Sequence, residues 1–524
     1  MPSVRAELPG ASALLGWLTD PEAPRLCLVN EAPGLLDWLA GHGPRGAGRR
    51  RTARALVPLT DQTALGTAWA VAGRLGVVAT SPADLVRVLA TTETGRAPRT
   101  VLLLPALHAA AEPVPIAELL RDLATLGRVR VVVETREGTP EHALLAEGRV
   151  ARVDPQDEEH EERPDGGAAR GETGETAETR QGPADASPNL SDPVAVCAAD
   201  PFTVTTGYVR DASDEHGGLR PAWLRAGQAL CMARTPADRA LALLAVLGDG
   251  ADPRLRPALE EAAGPARWRL RWSRVVGDVA PPWPGPVAAL AVQGGTLLAA
   301  DLGGAVRLLG AADAHPLGRL DHPVTGRVIA LAPAPDGTVL LLDERGRLHT
   351  VRGREPRPPY LQRLTEAVSA TLTRHPGTAL AAISGSVVVG DRLGSVHAFG
   401  LTGLHQASLH SGRVTAVGAV ESETPFVCSG GSDGTVRLWT PGRDPEPQPL
   451  AERPSPVVSL HATETPHGPF AAVAWSDGSV ELHDIEQKTH RSYRPGPPVR
   501  AVAVTPDGHL LVGLDEALVC VERT

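Results

Sequence analysis

A unit of strand, aspartate and strand, with glycine close behind the aspartate in five of its six copies, recurs in the second half of this chain and constrains the fold more than any other feature. The copies are ADLGGAVRLL, LDERGRLHTV, GDRLGSVHAF, GSDGTVRLWT, WSDGSVELHD and LDEALVCVER. Their aspartates, Asp301, Asp343, Asp391, Asp433, Asp477 and Asp515, are spaced 42, 48, 42, 44 and 38 residues apart. An aspartate carboxylate accepts backbone N–H bonds across a tight turn, and glycine supplies the positive φ that such turns need. Ahead of these turns, GPVAALAV, GRVIALAP, GRVTAVGAV and PVRAVAV read as strands of small residues, with PAPDG and TPDG as hairpin turns. Self-similarity at a period near ~40 residues, one small sheet per repeat, defines a β-propeller. The spacing predicts six blades over residues 266–524.

The last unit has only three strands. The segment ARWRLRWS (266–273) alternates Trp268, Leu270 and Trp272 with Arg267, Arg269 and Arg271. It is expected to add the missing outer strand and so close the ring without an open edge. The fourth unit resembles the WD-repeat consensus: His410 precedes the inner strand, Ser429 lies in FVCSG, Asp433 in the turn, and Trp439 ends TVRLW. The resemblance implies that these four groups form a hydrogen-bonded chain within the blade. That role is structural, so His410, Ser429 and Asp433 are not read as a hydrolytic triad. In the other units Leu, Phe or His replaces the tryptophan.

Residues 1–153 alternate strand and helix. Apolar runs at 25–29, 53–59, 100–105, 129–134 and 149–153 are separated by helix-like segments, and Ser81-Pro82 and Thr139-Pro140 are cap-plus-proline helix starts. Nearly all-apolar strands between helices predict a parallel sheet covered on both faces, a doubly wound α/β domain.

The order of these elements resembles the P-loop NTPase domain of the STAND class, the NACHT-like switch ATPases, over residues 10–153. It rests on RLCLVNEAPG running into LLDWLA, on TVLLLPALHAA, and on VVVETREGTP, which matches the first sensor at Thr135 and Arg136. The departures are specific. A phosphate cradle needs a loop whose N–H groups turn inward, and a lysine. Here Asn30 to Gly34 alone separate strand from helix, Leu35 and Leu36 stand where the Mg²⁺-binding hydroxyl belongs, and the chain's single lysine is Lys488. Pro105 and Ala106 occupy the place of the acidic metal ligand, and the His108 that follows is a lone histidine, read as structural. Phosphoryl transfer depends on these groups, so ATP hydrolysis is not expected. If any nucleotide contact remains, the resemblance places it at Gly34, Thr135 and Arg136. The plainer reading of Arg136 is a solvated strand end.

Between the two domains, residues 154–193 carry GETGETAET, and from Asp154 to Arg180 there are ten acids against three arginines, a local balance of −7 in a chain of net charge −10. Such a stretch buries too little to offset its ordering entropy and is expected to be a disordered acidic linker. Residues 194–265 then read as a small helical region, with Thr235-Pro236 and Asp252-Pro253 as helix starts and Leu241, Leu244 and Leu247 on one face. The basic cluster of Arg45 and Arg49 to Arg51 lies in a Gly-rich run and is read as a solvated loop. The scarcity of lysine, with 55 Gly and 49 Pro, marks GC-rich coding, as in bacteria, rather than a function.

The five cysteines are scattered and never form CxxC, so neither a disulfide framework nor a zinc ribbon is expected. No apolar run approaches ~20 residues and no signal peptide is read, so the chain is expected to be cytoplasmic and not membrane-bound. No broad basic surface points to nucleic acid. No catalytic, metal or cofactor motif appears. The expected function is a non-enzymatic scaffold or sensor that binds protein partners through the propeller and carries a pseudo-NTPase domain. The alternative is a nucleotide-dependent STAND-type switch that still binds ATP or ADP.

Overall fold

A computed structural model of the chain describes residues 8–32, 34–42, 52–92, 99–154, 188–233, 235–277, 283, 285–334, 336–351, 359–383, 385–400, 403–496 and 498–524. Most of the expected acidic linker and the whole Arg45 to Arg51 loop lie outside them. Two units emerge, one of Met1–Leu75 with Ala79–Ser213 and one of Gly76–Val78 with Asp214–Thr524. The division falls inside the expected helical region, between Ser213 and Asp214.

In the first unit the elements run α1 (Ala11–Thr19), β1 (Leu26–Asn30), α2 (Leu35–His42), β2 (Thr52–Leu56), α3 (Ala64–Leu75), α4 (Pro82–Thr92), β3 (Arg99–Leu104), α5 (Pro113–Ala124), β4 (Val129–Thr135), α6 (Pro140–Ala146) and β5 (Ala151–Val153). The sheet order is β2-β3-β4-β1-β5 and every pairing is parallel. Strand residues such as Cys27, Val29, Val101, Leu103 and Val132 join Leu14, Trp17, Leu35, Leu36 and Leu39 of α1 and α2 in one buried cluster. The strands are mostly apolar because a parallel sheet is covered on both faces. Thr139 caps α6, its Oγ1 accepting from the His142 N–H, with Pro140 behind it. Helices α7 (Pro193–Ala198) and α8 (Pro201–Arg210) complete this unit; both start with a capping aspartate, Asp192 or Asp200, followed by proline.

The second unit opens with α9 (Leu219–Ala226), α10 (Gln228–Met232), α11 (Pro236–Ala245), α12 (Leu255–Ala263) and β6 (Trp268–Val275). Six sheets follow. Blade 1 is β7 (Val287–Gln293), β8 (Thr296–Asp301), β9 (Val306–Gly310) and β10 (Pro316–Leu320); blade 2 is β11 (Val328–Pro333), β12 (Val339–Asp343) and β13 (Leu348–Val351). Next comes α13 (Pro359–Arg374), ahead of blade 3, which is β14 (Ala379–Ile383), β15 (Ser386–Gly390), β16 (Ser395–Gly400) and β17 (Gly403–Ser408). Blade 4 is β18 (Val414–Val420), β19 (Phe426–Gly431), β20 (Thr435–Trp439) and β21 (Ala451–Glu452); blade 5 is β22 (Val457–Thr465), β23 (Gly468–Trp475), β24 (Val480–Asp484) and β25 (Thr489–Tyr493). Blade 6 is β26 (Val499–Val504), β27 (Leu510–Leu514) and β28 (Ala517–Arg523), and β6 is its outer strand, pairing antiparallel from Ala517↔Val275 to Arg523↔Trp268.

The alternation read in ARWRLRWS explains that closure. Trp268 and Trp272 are buried and donate their indole N–H to the carbonyls of Ser492 (2.9 Å) and Ala311 (3.2 Å), while Arg269 and Arg271 point out and pair with Glu522 at 3.0 and 2.7 Å. The core is laid down between blades. One cluster joins blades 6 and 1, another 1 and 2, and others 2 and 3, 3 and 4, and 4 and 5. Each inner strand is built of small residues because six sheets converge there.

Among the described residues blade 2 has three strands, and α13 covers its outer side. Val368 and Leu372 are buried against Leu342, Leu348, Val387 and Val389, and Ser369 Oγ donates to the edge carbonyl of Leu348 at 3.2 Å. The helix thus shields the edge of β13. The five cysteines are free thiols, and burial pushes Cys27, Cys428 and Cys520 up to about 12. No described helix is long and apolar enough to cross a membrane.

Candidate functional site

In blades 1 to 5 the turn between the second and third strands is built around its aspartate. Asp301 Oδ1 accepts the Ala305 N–H at 2.9 Å. Asp343 Oδ1 accepts those of Arg345 and Arg347, and Asp391 Oδ1 those of Leu393 and Ser395, all at 2.8–2.9 Å. In these two turns the second carboxylate oxygen meets a histidine six residues on, His349 at 2.8 Å and His397 at 3.0 Å. Burial pushes both carboxyls up, but the backbone donors and the histidines outweigh it and hold them below the usual range. The sequence reading passed over these pairs, although the repeated i, i+6 spacing was present. Asp477 caps Ser479 N–H at 3.0 Å and pairs with Arg453 at 2.8 Å. Arg453 also reaches Glu481 at 3.0 Å. Asp515 behaves differently. Its turn has no glycine, and its carboxylate is gripped by Arg500 at 2.8 and 3.0 Å.

Blade 4 brings three of the four motif groups together. His410 Nε2 meets Ser429 Oγ at 2.9 Å, and Nδ1 lies 3.1 Å from Asp433 Oδ1 and 2.9 Å from Thr435 Oγ1. The other Asp433 oxygen accepts the Ser411 N–H at 2.9 Å. A carboxylate only accepts, so the contact with Asp433 calls for the proton on Nδ1, and in that tautomer Nε2 accepts from the serine. Trp439 is not part of the chain, because its indole N–H donates to the Arg443 carbonyl at 3.0 Å. The geometry matches that of a hydrolytic triad, yet Ser429 is 0 % exposed inside β19 and His410 is 6 % exposed. A nucleophile with no access to substrate does no chemistry; the network ties the blade together.

The inner strands enclose a channel of about 460 Å³, lined largely by alanine, valine and leucine, with Thr378, Thr415, Ser459, His461, Glu464 and Arg500 among its polar groups. Ser459 Oγ and His461 Nδ1 accept the N–H groups of Val502 (3.1 Å) and Val504 (3.2 Å), stitching blade 5 to blade 6. Burial pushes the His461 imidazole down to about 4. Because the folded value lies below the unfolded one of ~6.5, the neutral ring stabilises the fold above that pH. This contribution, on the order of 2 kcal/mol, is lost as pH falls from ~6.5 towards 4. His461→Asn, which keeps an acceptor for Val504, is expected to flatten the decline in melting temperature between pH 7.5 and 5. Equal slopes in the two proteins would remove His461 as its source.

At the carboxyl edge of the parallel sheet, Asn30 of β1 stands in register with Thr135 of β4. Thr135 is fully buried, and its Oγ1 is 3.0 Å from His142 Nδ1. Arg136 forms an ion pair with Glu31, in the loop that follows β1. Gly34, at φ +80°, has open space around it, and its carbonyl accepts the Trp38 N–H at 2.9 Å as α2 begins. Glu134, buried on β4, accepts the N–H of Ala106 at 3.0 Å, latching the loop after β3. The sequence reading did not single out Glu31 or Glu134; both lie far along the chain from their partners.

The second unit is thus a six-bladed β-propeller closed by its own first strand. Residues 404–440, spanning blade 4's motif, match the WD domain, G-beta repeat family. Among solved structures, the chain is similar to the computationally designed Ika8 protein (20 % identity, 45 % of this chain and 71 % of that one, TM-score 0.30). It is also similar to the WD40 β-propeller domain of Doa1 (12 % identity, 49 % of this chain and 98 % of that one, TM-score 0.34). No curated protein matches the sequence.

Proposed function

We propose that this chain is a non-enzymatic scaffold whose propeller carries protein partners, with the α/β unit as a docking module that has lost nucleotide chemistry. The reading of the α/β unit is carried by the Glu31–Arg136 pair. In the STAND resemblance Arg136 faces a nucleotide; here a protein carboxylate from the loop after β1 holds it. Thr135 is likewise committed to His142, and Leu35 and Leu36 are packed into the core at the start of α2. The WD-repeat match in blade 4 supports the platform reading of the propeller, since such propellers commonly mediate protein–protein contacts.

Two measurements test this. A ligand at 100 times its dissociation constant adds about 2.7 kcal/mol of stability. Millimolar ATP–Mg²⁺ or ADP is expected to leave the melting profile of the intact chain unchanged, and a nucleotide-specific rise would restore the switch reading. Photo-crosslinking side chains placed on the two units of the full-length protein are expected to capture partners through residues 266–524. Capture confined to residues 8–213 would overturn the scaffold assignment.

A further inference from the structure

We propose that the end of the propeller bearing the turns of blades 2 to 4 binds an acidic peptide segment of a partner protein. The proposal rests on the scaffold reading and adds to it the face and the chemistry of the partner.

Backbone bonds join these turns and the entry loops beside them into one arc: Glu344 N–H to Arg327 O (3.0 Å), Gly377 N–H to Gly346 O (3.0 Å), Val414 N–H to Asp391 O (2.9 Å) and Ser432 N–H to Arg413 O (2.8 Å). Six arginines decorate it, Arg327, Arg345, Arg347, Arg374, Arg392 and Arg413, all exposed. None of the six guanidinium groups pairs with an acid among the described residues. Against them the same turns and loops expose Asp321 and Glu344. The turn carboxylates do not neutralise the arc, because Asp343, Asp391 and Asp433 are taken up by turn N–H groups and histidines.

The opposite end has the reverse sign. Its turns expose Glu421, Glu423, Asp444, Glu446, Glu464 and Glu486, with Arg443 and Lys488 as counter-charges there. Burial and the neighbouring Glu486 charge raise the Glu464 carboxyl. A domain with opposite charge at its two ends orients an incoming acidic segment towards the arginine arc. Guanidinium forks pair bidentately with carboxylates. At the tip of the blade 3 turn, Leu393 is 84 % exposed, an apolar contact set among the charges. The arc's turns and loops hold no Trp, Tyr or Phe among the described residues, so the stacking platform that single-stranded nucleic acid uses is missing.

The test is fluorescence anisotropy of the full-length chain with a fluorescein-labelled oligoglutamate peptide containing one central leucine. Binding is expected to weaken at least about tenfold in the double variant Arg345→Glu/Arg392→Glu. It is expected to persist in Glu421→Lys/Glu464→Lys at the other end. Both pairs are exposed, and circular dichroism checks that the variants fold. No binding, equal binding by the arginine variant, or tighter binding of an oligothymidylate of equal charge would overturn the proposal. In those cases, partners crosslinked elsewhere on residues 266–524 leave the scaffold reading standing; capture on residues 8–213 alone removes both.

Discussion

Gly434→Ala is expected to lower the stability of the propeller by about 3 kcal/mol or more. Gly434 sits at φ +77°, and a Cβ there would overlap the carbonyl oxygen of Arg453 in the entry loop of the next blade. That loop cannot simply withdraw, since the Arg453 N–H bonds the Gly434 carbonyl at 2.9 Å. The left-handed conformation alone costs an L-residue ~1–2 kcal/mol; the rest comes from prising two blades apart. Gly508, at φ +82° with open space around it, is the control. Gly508→Ala is expected to cost only the conformational part, ~1–2 kcal/mol. Urea unfolding of the two variants separates the effects, and equal losses would show that the wedge between blades does not matter.

Asp433→Ala is expected to cost about 3 kcal/mol, because the carboxylate serves His410, Ser411 and Thr435 at once and its removal strands buried donors. Asp433→Asn, which keeps one acceptor oxygen, should lose less. Burial pushes the Asp433 carboxyl up, but His410 and the backbone donors more than reverse this and hold it well below the carboxylate range. With a folded value below the unfolded ~3.9, its stabilisation is present above that pH and disappears as pH falls through the folded value. Melting curves below pH 4 should therefore flatten in Asp433→Asn relative to the parent chain. A variant that melts in acid with the parent's slope would show that the carboxylate charge is not what the network stabilises.

The propeller was legible because its repeats place aspartate where a turn must satisfy its own N–H groups, and because ARWRLRWS alternates at the strand period. The helix at 359–374 was not read. Leu364, Val368 and Leu372 mark its apolar face, and the 48-residue gap between Asp343 and Asp391 held the signal. A repeat creates the expectation of a strand there, and a helical period runs against it. The place of Trp439 outside the His410 network was hidden for another reason. A resemblance transfers residue types, whereas the acceptor that the indole meets depends on the local path of the chain after β20. At the carboxyl edge of the parallel sheet, the missing lysine and hydroxyl were plain in the sequence. The Glu31–Arg136 and Glu134–Ala106 contacts join residues 105 and 28 positions apart, and no local pattern announces such pairs.

The pairing of β6 with β28 also sets a schedule for biosynthesis. Val275 meets Ala517, 242 positions further along the chain. At about 5–20 residues per second, the ribosome takes about 12–50 s to deliver the second strand after the first. Trp272 gains its blade 1 neighbours soon after synthesis, but Trp268 waits for Ser492 and the strand itself waits for a partner that does not yet exist. Long-range pairing of this kind slows folding and exposes sticky edges. The alternating arginines of β6 would keep such a waiting strand soluble, so the same charges that later pair with Glu522 serve first as its guard against premature association.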